Sequence, residues 1–172
     1  MTTNLFANQP TTIGQLAVTL RPYQQAAVDS LYQWFENNSG NPLIVVPTGG
    51  GKSLIIAAFI HSVHAQWPKE RILVLTHVRE LIEQNHAQML RAWPSAPAGI
   101  YSAGIGRREH DAPVLFAGIQ SVYEKAAKVG WTDLVIVDEA HLIPAKGMGM
   151  YRTFLDALRS MNPHLKVIGL TA

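Results

Sequence analysis

The sequence LIVVPTGGGKS, at residues 43–53, contains the change from strand to helix around which the chain is organised. The apolar run from Leu43 to Val46 has the length and composition of a strand that is buried on both faces. Pro47 has no N–H group to continue a strand ladder. Three glycines then allow backbone angles that a Cβ would forbid, and an apolar helical pattern begins at Lys52. The stretch therefore predicts a buried strand, a glycine turn and the start of a helix.

The glycine turn also has the composition of a phosphate-binding loop. The N–H groups of Gly49, Gly50 and Gly51 can line a concave cradle for an anion, at a helix N-terminus that favours phosphate. Lys52 would reach the β- and γ-phosphates, and the Ser53 hydroxyl would ligate Mg²⁺. We predict a nucleotide site running from Thr48 to Ser53, with ATP and Mg²⁺ as its cofactors. The pattern GxxxxGK[ST] fails at its first position, which is Val46, and the alternative is a glycine-rich turn with a solvated lysine.

Composition describes an ordinary globular protein. The 172 residues are 48% hydrophobic and 15% charged, with a net charge of +2 and a pI near 9.0, which neither requires nor excludes a nucleic-acid partner. The chain has no cysteine, which suits a reducing cytoplasm. The N-terminus lacks the pattern of a signal peptide, and the longest apolar run, residues 54–60, is too short to span a bilayer. We therefore expect a cytoplasmic protein without a membrane partner.

Apolar runs alternate with helical patterns along the rest of the chain. This alternation predicts an α/β fold with a mainly parallel sheet that is covered by helices on both sides. Ligands of such sheets bind at the carboxyl ends of the strands. The strands are predicted at residues 43–46, 71–75, 98–101, 114–117, 134–137 and 165–170, and the helices at 23–38, 53–65, 77–93, 119–129 and 151–161.

An acidic pair follows one of these strands directly. The apolar run at residues 134–137 is followed by Asp138 and Glu139. We predict that Asp138 holds the Mg²⁺ that Ser53 also contacts. Glu139 would orient or deprotonate the water that attacks the γ-phosphate, so the predicted catalytic residues are Lys52, Asp138 and Glu139. The alternative is a pair of carboxylates that are solvated or that cap a helix.

Together with PTGGGKS, the sequence DEAH at residues 138–141 resembles the first motor domain of a superfamily 2 helicase. The closest resemblance is to the RadD-like group, near the helicase subunits of type III restriction enzymes. Four further stretches carry it in the expected order: LRPYQQ at 20–25 resembles the Q motif, VLTHVRELIEQ at 74–84 motif Ia, GIQSV at 118–122 a motif that contacts nucleic acid, and GLTA at 169–172 the start of motif III.

The resemblance implies a domain organisation. It implies a single RecA-like P-loop NTPase domain with three α/β/α layers over residues 20–172, preceded by a lead-in at residues 1–19. The chain ends within motif III, so we expect half of a two-domain motor, with the second RecA-like domain and its arginine finger missing. Because a finger contributes about 10³–10⁵ in turnover, this chain alone is expected to be nearly inactive.

The resemblance also assigns nucleotide-binding residues beyond the P-loop. Gln24 would read the adenine edge, since a side-chain amide can donate and accept at once. Arg21 and Tyr23 would flank the base. His141 would link the ATP site to motif III, with Thr171 as its neighbour. The alternatives are an exposed helix residue for Gln24 and a polar residue in a helix cap for His141.

A nucleic-acid surface is implied in the same way. Thr76, His77 and Arg79 follow the second predicted strand, where the family touches the nucleic-acid backbone. Gln120 and Ser121 begin a helix, where phosphate is favoured. The alternatives are a solvated helix start and simple N-capping. Two departures from the family pattern, Leu75 before Thr76 and a glycine at position 118, weaken the placement of these contacts. The loop with Gly104, Gly106, Arg107 and Arg108 is a further open candidate.

The function implied is that of a superfamily 2 DNA helicase or translocase, which couples ATP hydrolysis to movement along or remodelling of DNA. The residues leave open an ATP-gated nucleic-acid-binding module that unwinds nothing, and the motor subunit of a restriction enzyme. A P-loop ATPase of another class is disfavoured by the helicase-like stretches. Contacts to a backbone do not separate DNA from RNA unless a 2′-OH is recognised.

Overall fold

A computed structural model describes residues 16–143 and 149–172 of the chain. These residues form seven strands, six helices and one 3-10 turn. The strands are β1 (Leu43–Val45), β2 (Ile72–Thr76), β3 (Ala98–Ser102), β4 (Arg107–Arg108), β5 (Val114–Gly118), β6 (Leu134–Val137) and β7 (Lys166–Thr171). The helices are α1 (Pro22–Asn37), α2 (Lys52–Gln66), α3 (Arg79–Ala92), α4 (Ile119–Val122), α5 (Ala126–Val129) and α6 (Met150–Met161), and the 3-10 turn is Ala140–Leu142.

The strands form one sheet in the order β1-β7-β6-β2-β5-β3-β4. The pairs are parallel except for the short antiparallel pairing of β3 with β4. The central strands are apolar along their whole length because both of their faces are covered. Within β2, Ile72 and Val74 contribute to the core beneath α1, α2 and α3, while Leu73 and Leu75 contribute to the core beneath α4, α5 and α6. The prediction of three α/β/α layers around a mainly parallel sheet is confirmed.

The first strand differs from its prediction. We expected residues 43–46 to be buried on both faces, but β1 lies at one edge of the sheet and pairs with β7 alone in the described part of the chain. The side chains of Leu43 and Val45 are 57% and 65% exposed, whereas Ile44 packs against the core. The apolar run indicated a strand correctly, but its position in the sheet depends on pairing with residues more than 120 positions away.

Two local predictions also change. The predicted helix at 119–129 is two short helices, α4 and α5. The loop with Gly104, Gly106, Arg107 and Arg108 contains β4, which folds back onto β3. In the first helix Val28, Leu31 and Phe35 form the buried face, and Trp34 is exposed.

The ends of the described ranges bear on two further predictions. In the segment expected to be a loose lead-in, Leu16 and Val18 pack against the core, and the Ala17 N–H donates to the Ala92 carbonyl at 2.8 Å. The remainder of the predicted lead-in, and residues 144–148 of the loop before α6, lie outside the described residues. Among the residues that are described, none of the helices has the length and apolar character needed to cross a membrane.

Candidate nucleotide site and nucleic-acid surface

The glycine turn and the acidic pair meet at one edge of the sheet. The glycine turn follows β1, and Asp138 and Glu139 follow β6, with β7 between the two strands. Because β1, β7 and β6 are parallel, their carboxyl ends lie at the same edge, where ligands of such sheets bind. The topology therefore brings together residues that are about 90 positions apart in sequence.

The glycine turn has the shape expected of an anion cradle. Gly49 and Gly51 have φ values of 77° and 79°, a region that side chains with a Cβ rarely adopt. Gly51 is the residue that precedes α2, so the helix N-terminus faces the turn. A cavity of about 470 Å³ lies against it, lined by residues of both motifs, including Thr48 and Ser53, and by Gln84 and Gln88 of α3.

A buried asparagine connects the two candidate magnesium ligands. The Ser53 hydroxyl donates to Oδ1 of Asn85 at 2.5 Å, and Nδ2 of Asn85 donates to Oδ2 of Asp138 at 2.8 Å. Asn85 and Asp138 are only 2% and 3% exposed. Burial raises the pKa of Asp138, and the hydrogen bond from Asn85 opposes that rise. The three side chains form a continuous polar chain inside the apolar layer under α3.

The predicted catalytic residues Lys52 and Glu139 form an ion pair. Lys52 Nζ lies 2.6 Å from Oε1 of Glu139, and the side chains are only 16% and 20% exposed. Glu139 has a φ of 55°, the left-handed region that is uncommon for a residue with a side chain. Such backbone strain persists where the surrounding contacts fix it, often at functional sites. The pair spans the cavity from the glycine turn to the acidic motif.

His141 connects this carboxylate to the end of β7. Its Nδ1 lies 2.8 Å from Oγ1 of Thr171 and 3.4 Å from Oε2 of Glu139. Thr171 is the neighbour that the resemblance implies for His141, and the two side chains are in contact. A change at the acidic motif can therefore reach β7 through one side chain.

Residues before and within α1 contact the glycine turn from the other side. The Gly50 carbonyl accepts from the Tyr23 hydroxyl at 2.9 Å and from Nε2 of Gln24 at 3.3 Å. Oε1 of Gln24 accepts from the Arg21 N–H at 2.9 Å. Gln24 is 4% exposed, so the alternative that it is an ordinary exposed helix residue is wrong. Its amide is engaged at both ends, and pairing with adenine would require these bonds to be exchanged.

These residues fit a magnesium nucleotide. The Ser53 hydroxyl and the Asp138 carboxylate are the hard oxygen ligands that Mg²⁺ prefers. The turn also has no room for a side chain at position 50, because a Cβ on Gly50 would lie 2.6 Å from the Val46 side chain and 2.8 Å from the Pro47 carbonyl oxygen. Lys52 supplies the positive charge at the start of a helix whose N–H groups favour phosphate.

The predicted nucleic-acid contacts divide into exposed and buried side chains. His77, Arg79 and Gln120 are exposed, and Gln120 Nε2 lies 3.4 Å from His77 Nε2. Thr76 is 1% exposed and Ser121 is 8% exposed. The Thr76 hydroxyl accepts from the Val78 N–H, and the Ser121 hydroxyl accepts from the Ala103 N–H. The exposed three lie after β2 and β5, which are neighbours in the sheet.

The loop between β3 and β4 lies beside this surface. A Cβ added to Gly104 would contact the Arg79 side chain, and Gly106 has a φ of 78°. Arg107 makes a bidentate contact with Glu109, at 2.9 and 2.8 Å, which offsets its charge. Arg108 is exposed. Because Arg107 is paired with Glu109, the loop offers less free positive charge than its sequence suggests.

Asn85 is a residue of the candidate site that was not predicted from the sequence. The available signal was a polar residue at a core position, because Ile82, Asn85 and Met89 fall at helical spacing on the inner face of α3. A buried amide needs hydrogen-bond partners. Its partners come from α2 and from the residue after β6, and the sequence alone does not reveal that these segments meet.

Comparison with known proteins agrees with this geometry. The family model described as "Type III restriction enzyme, res subunit" matches residues 17–172. The chain is 30% identical over 165 residues to the ATP-dependent helicase IRC3 of Saccharomyces cerevisiae, covering 91% of this chain and 24% of that protein. It is 31% identical over 168 residues to the DEAD-box ATP-dependent DNA helicase Fancm of Drosophila melanogaster, covering 89% and 11%.

The fold likewise matches a solved helicase domain. The helicase domain of Hef from Pyrococcus furiosus superposes with a TM-score of 0.70 at 24% identity, covering 89% of this chain and 32% of that one. The chain thus spans a quarter or less of the length of the two curated relatives. The RecA-like fold predicted from the resemblance is confirmed. The chain belongs to the type III restriction enzyme res subunit family, and its fold is that of a RecA-like motor domain.

Proposed function

We propose that this domain binds Mg·ATP at the turn between β1 and α2, and that the protein containing it couples ATP hydrolysis to movement along, or remodelling of, DNA. One observation carries the proposal. Lys52, Ser53, Asp138 and Glu139 converge on one cavity at the carboxyl edge of the sheet, with Lys52 and Glu139 in direct contact. The names of IRC3 and Fancm, an ATP-dependent helicase and a DNA helicase, support the extension to DNA.

Each residue at the site has a chemical role in this proposal. The N–H groups of the turn from Thr48 to Gly51 would hold the phosphates, and Lys52 would leave Glu139 to contact them. Ser53 and Asp138 would hold Mg²⁺, which when bound neutralises charge on the β- and γ-phosphate oxygens. Glu139, released from Lys52, would accept a proton from the attacking water.

The adenine would lie near α1. We propose that Gln24 exchanges its bonds to Arg21 and Gly50 for the adenine edge when nucleotide binds. Its buried amide has both a donor and an acceptor to offer, and the Gly50 carbonyl would remain held by the Tyr23 hydroxyl. Nucleotide binding would in this way alter the contact between α1 and the glycine turn.

The nucleic acid would lie across the ends of β2 and β5. Arg79 suits a phosphate because its guanidinium remains charged and can donate two parallel bonds. His77 and Gln120 are exposed beside it. The buried hydroxyls of Thr76 and Ser121 would act on the nucleic acid only indirectly, by fixing the backbone of the two turns. The contact between His141 and Thr171 would transmit a movement of Glu139 at the ATP site to the end of β7.

A second RecA-like domain would complete the motor. We propose that it closes over the cavity and supplies the positive charge that the transition state requires, so that ATP hydrolysis opens and closes the cleft. We also place the protein in a reducing compartment such as the cytoplasm, because 172 residues contain no cysteine.

The test is the ATPase rate of the full-length protein with no nucleic acid, single-stranded DNA, duplex DNA and RNA. Lys52→Ala and Glu139→Gln serve as inactive controls. We expect stimulation by DNA that both variants abolish. An equal rate in all four conditions would contradict the coupling, and would leave the nucleotide site without a nucleic-acid partner.

A second function shares the same site. The protein would be an ATP-gated module that attaches to nucleic acid without unwinding it, or the motor subunit of a restriction enzyme, which the name of the matching family favours. A strand-displacement assay separates these from a helicase. DNA-stimulated ATPase without displacement of a labelled strand would favour the module or the restriction motor.

A further inference from the structure

We propose that Asn85 is a positioning residue for the magnesium site, and that it holds Ser53 and Asp138 in the geometry that Mg²⁺ requires before the ion arrives. This inference rests on the proposed function, because it assigns a role in binding Mg·nucleotide. Its basis is the polar chain from Ser53 through Asn85 to Asp138, in which Asn85 contacts both candidate ligands.

Asn85 orients the Ser53 hydroxyl. A hydroxyl that ligates a cation must direct its proton away from the ion, toward an acceptor. Oδ1 of Asn85 accepts this proton at 2.5 Å, so the lone pairs of the Ser53 oxygen remain available to a metal. Without Asn85 the hydroxyl would be free to rotate, and its proton could point into the metal position.

Two hydrogen bonds hold the Asp138 carboxylate. Its Oδ1 accepts from the Glu139 N–H at 3.0 Å and its Oδ2 accepts from Nδ2 of Asn85 at 2.8 Å. These two bonds fix the plane of the carboxylate, and each oxygen retains a further lone pair for a water or a metal. Asn85 is 2% exposed, so water does not readily replace it.

Asn85 lies at a core position of α3. It is the seventh residue of the helix, whose first residue is Arg79, so about 9 Å of helix separates Asn85 from Arg79, at 1.5 Å per residue. A side chain that only filled the core at this position would be apolar, like its neighbours Ile82 and Met89. The amide at this position therefore serves the polar groups that it contacts.

The experiment measures how strongly Mg²⁺ tightens ADP binding to the full-length protein, by titrating MgCl₂ against a fixed concentration of fluorescent ADP. Asn85→Leu keeps the branched shape of the side chain and loses both hydrogen bonds, and Asn85→Ser is a smaller polar alternative if the leucine variant does not fold. Ile82→Val is the matched control, because it disturbs the same buried face of α3 without touching either ligand.

We expect the Mg²⁺ concentration for half-maximal tightening to rise about 10- to 100-fold in both Asn85 variants, the range typical of residues that orient metal ligands. ADP affinity in EDTA, and the Mg²⁺ dependence of Ile82→Val, should match those of the wild type. An unchanged Mg²⁺ dependence in a folded Asn85 variant would overturn this inference alone. A wild-type protein that binds ADP equally with and without Mg²⁺, or not at all, would overturn the proposed function as well.

Discussion

The ion pair between Lys52 and Glu139 leads to a prediction about ATP affinity. In the structure the Glu139 carboxylate contacts the Lys52 ammonium group at 2.6 Å, and both side chains are largely buried. The phosphates would need the same ammonium group. Nucleotide must therefore compete with Glu139 for Lys52. Replacing Glu139 with glutamine removes the charge but keeps a neutral acceptor, so the nucleotide-free state loses part of its stabilisation while the phosphate contacts are unchanged.

The magnitude follows from the geometry of the pair. A hydrogen bond to a charged group contributes about 1.5–3 kcal/mol, and a neutral acceptor retains about half of that. The nucleotide-free state of Glu139→Gln is then destabilised by about 0.75–1.5 kcal/mol. Since about 1.4 kcal/mol is a factor of ten in binding, we predict that ATP binds about 3- to 12-fold more tightly than to the wild type. Turnover should fall by about 10²–10⁴, because the proton acceptor is lost.

The assay is equilibrium binding of Mg·ATP to the full-length protein, with turnover measured in parallel. Glu109→Gln is the matched control, since it neutralises the exposed partner of Arg107 away from the site and should leave both values unchanged. Lys52→Ala should weaken binding. If Glu139→Gln binds ATP no more tightly than the wild type, or less tightly, Glu139 does not compete with phosphate for Lys52, and the reasoning is refuted.

Three further predictions concern stability, pH and nucleic acid. Phe154 is fully buried on the inner face of α6, so Phe154→Ala should lower the free energy of unfolding by about 3–5 kcal/mol in chemical denaturation. Replacing the exposed Trp34 with alanine should cost far less, and equal losses would contradict the packing. Burial and a hydrogen bond with Asp133 raise the pKa of Glu70 from 4.5 to about 7. The native state then holds a proton that the unfolded state releases, so stability should fall as pH rises from 4.5 to 7, and a denaturation series in Glu70→Gln should lack this fall. Arg79→Ala should weaken DNA binding and reduce the slope of log affinity against log salt by about 1, while exposed Arg91→Ala, at the far end of α3, should not; an unchanged slope would remove Arg79 from the interface.

The sequence predicted the local elements of the site well because each is encoded within a few residues. The glycine turn needs only Gly49 to Gly51 and the strand and helix that flank them. The acidic pair is recognisable because a fully apolar strand ends directly at Asp138. Alternating apolar strands and helices were sufficient to predict the three layers, since both faces of a parallel sheet must be covered.

The features that the sequence did not predict depend on long-range pairing. The exposure of β1 follows from its position at the sheet edge beside β7, and no feature of residues 43–46 indicates that position. The role of Asn85 depends on α3 lying over both α2 and the end of β6. Thr76 and Ser121 carry the residue types of a phosphate contact, but their hydroxyls are buried by the turns that they stabilise.

The coupling of the nucleotide site to nucleic acid is tested most directly by the affinity of the full-length protein for duplex DNA in three nucleotide states: none, Mg·ADP, and Mg²⁺ with a non-hydrolysable ATP analogue. When two sites are coupled, each ligand changes the affinity for the other by the same factor. A nucleotide that drives the motor must therefore change the affinity of the protein for DNA. We predict different affinities in the three states for the wild type, and a single affinity for Lys52→Ala. The same affinity for the wild type in all three states would contradict the proposal that this domain couples ATP to nucleic acid.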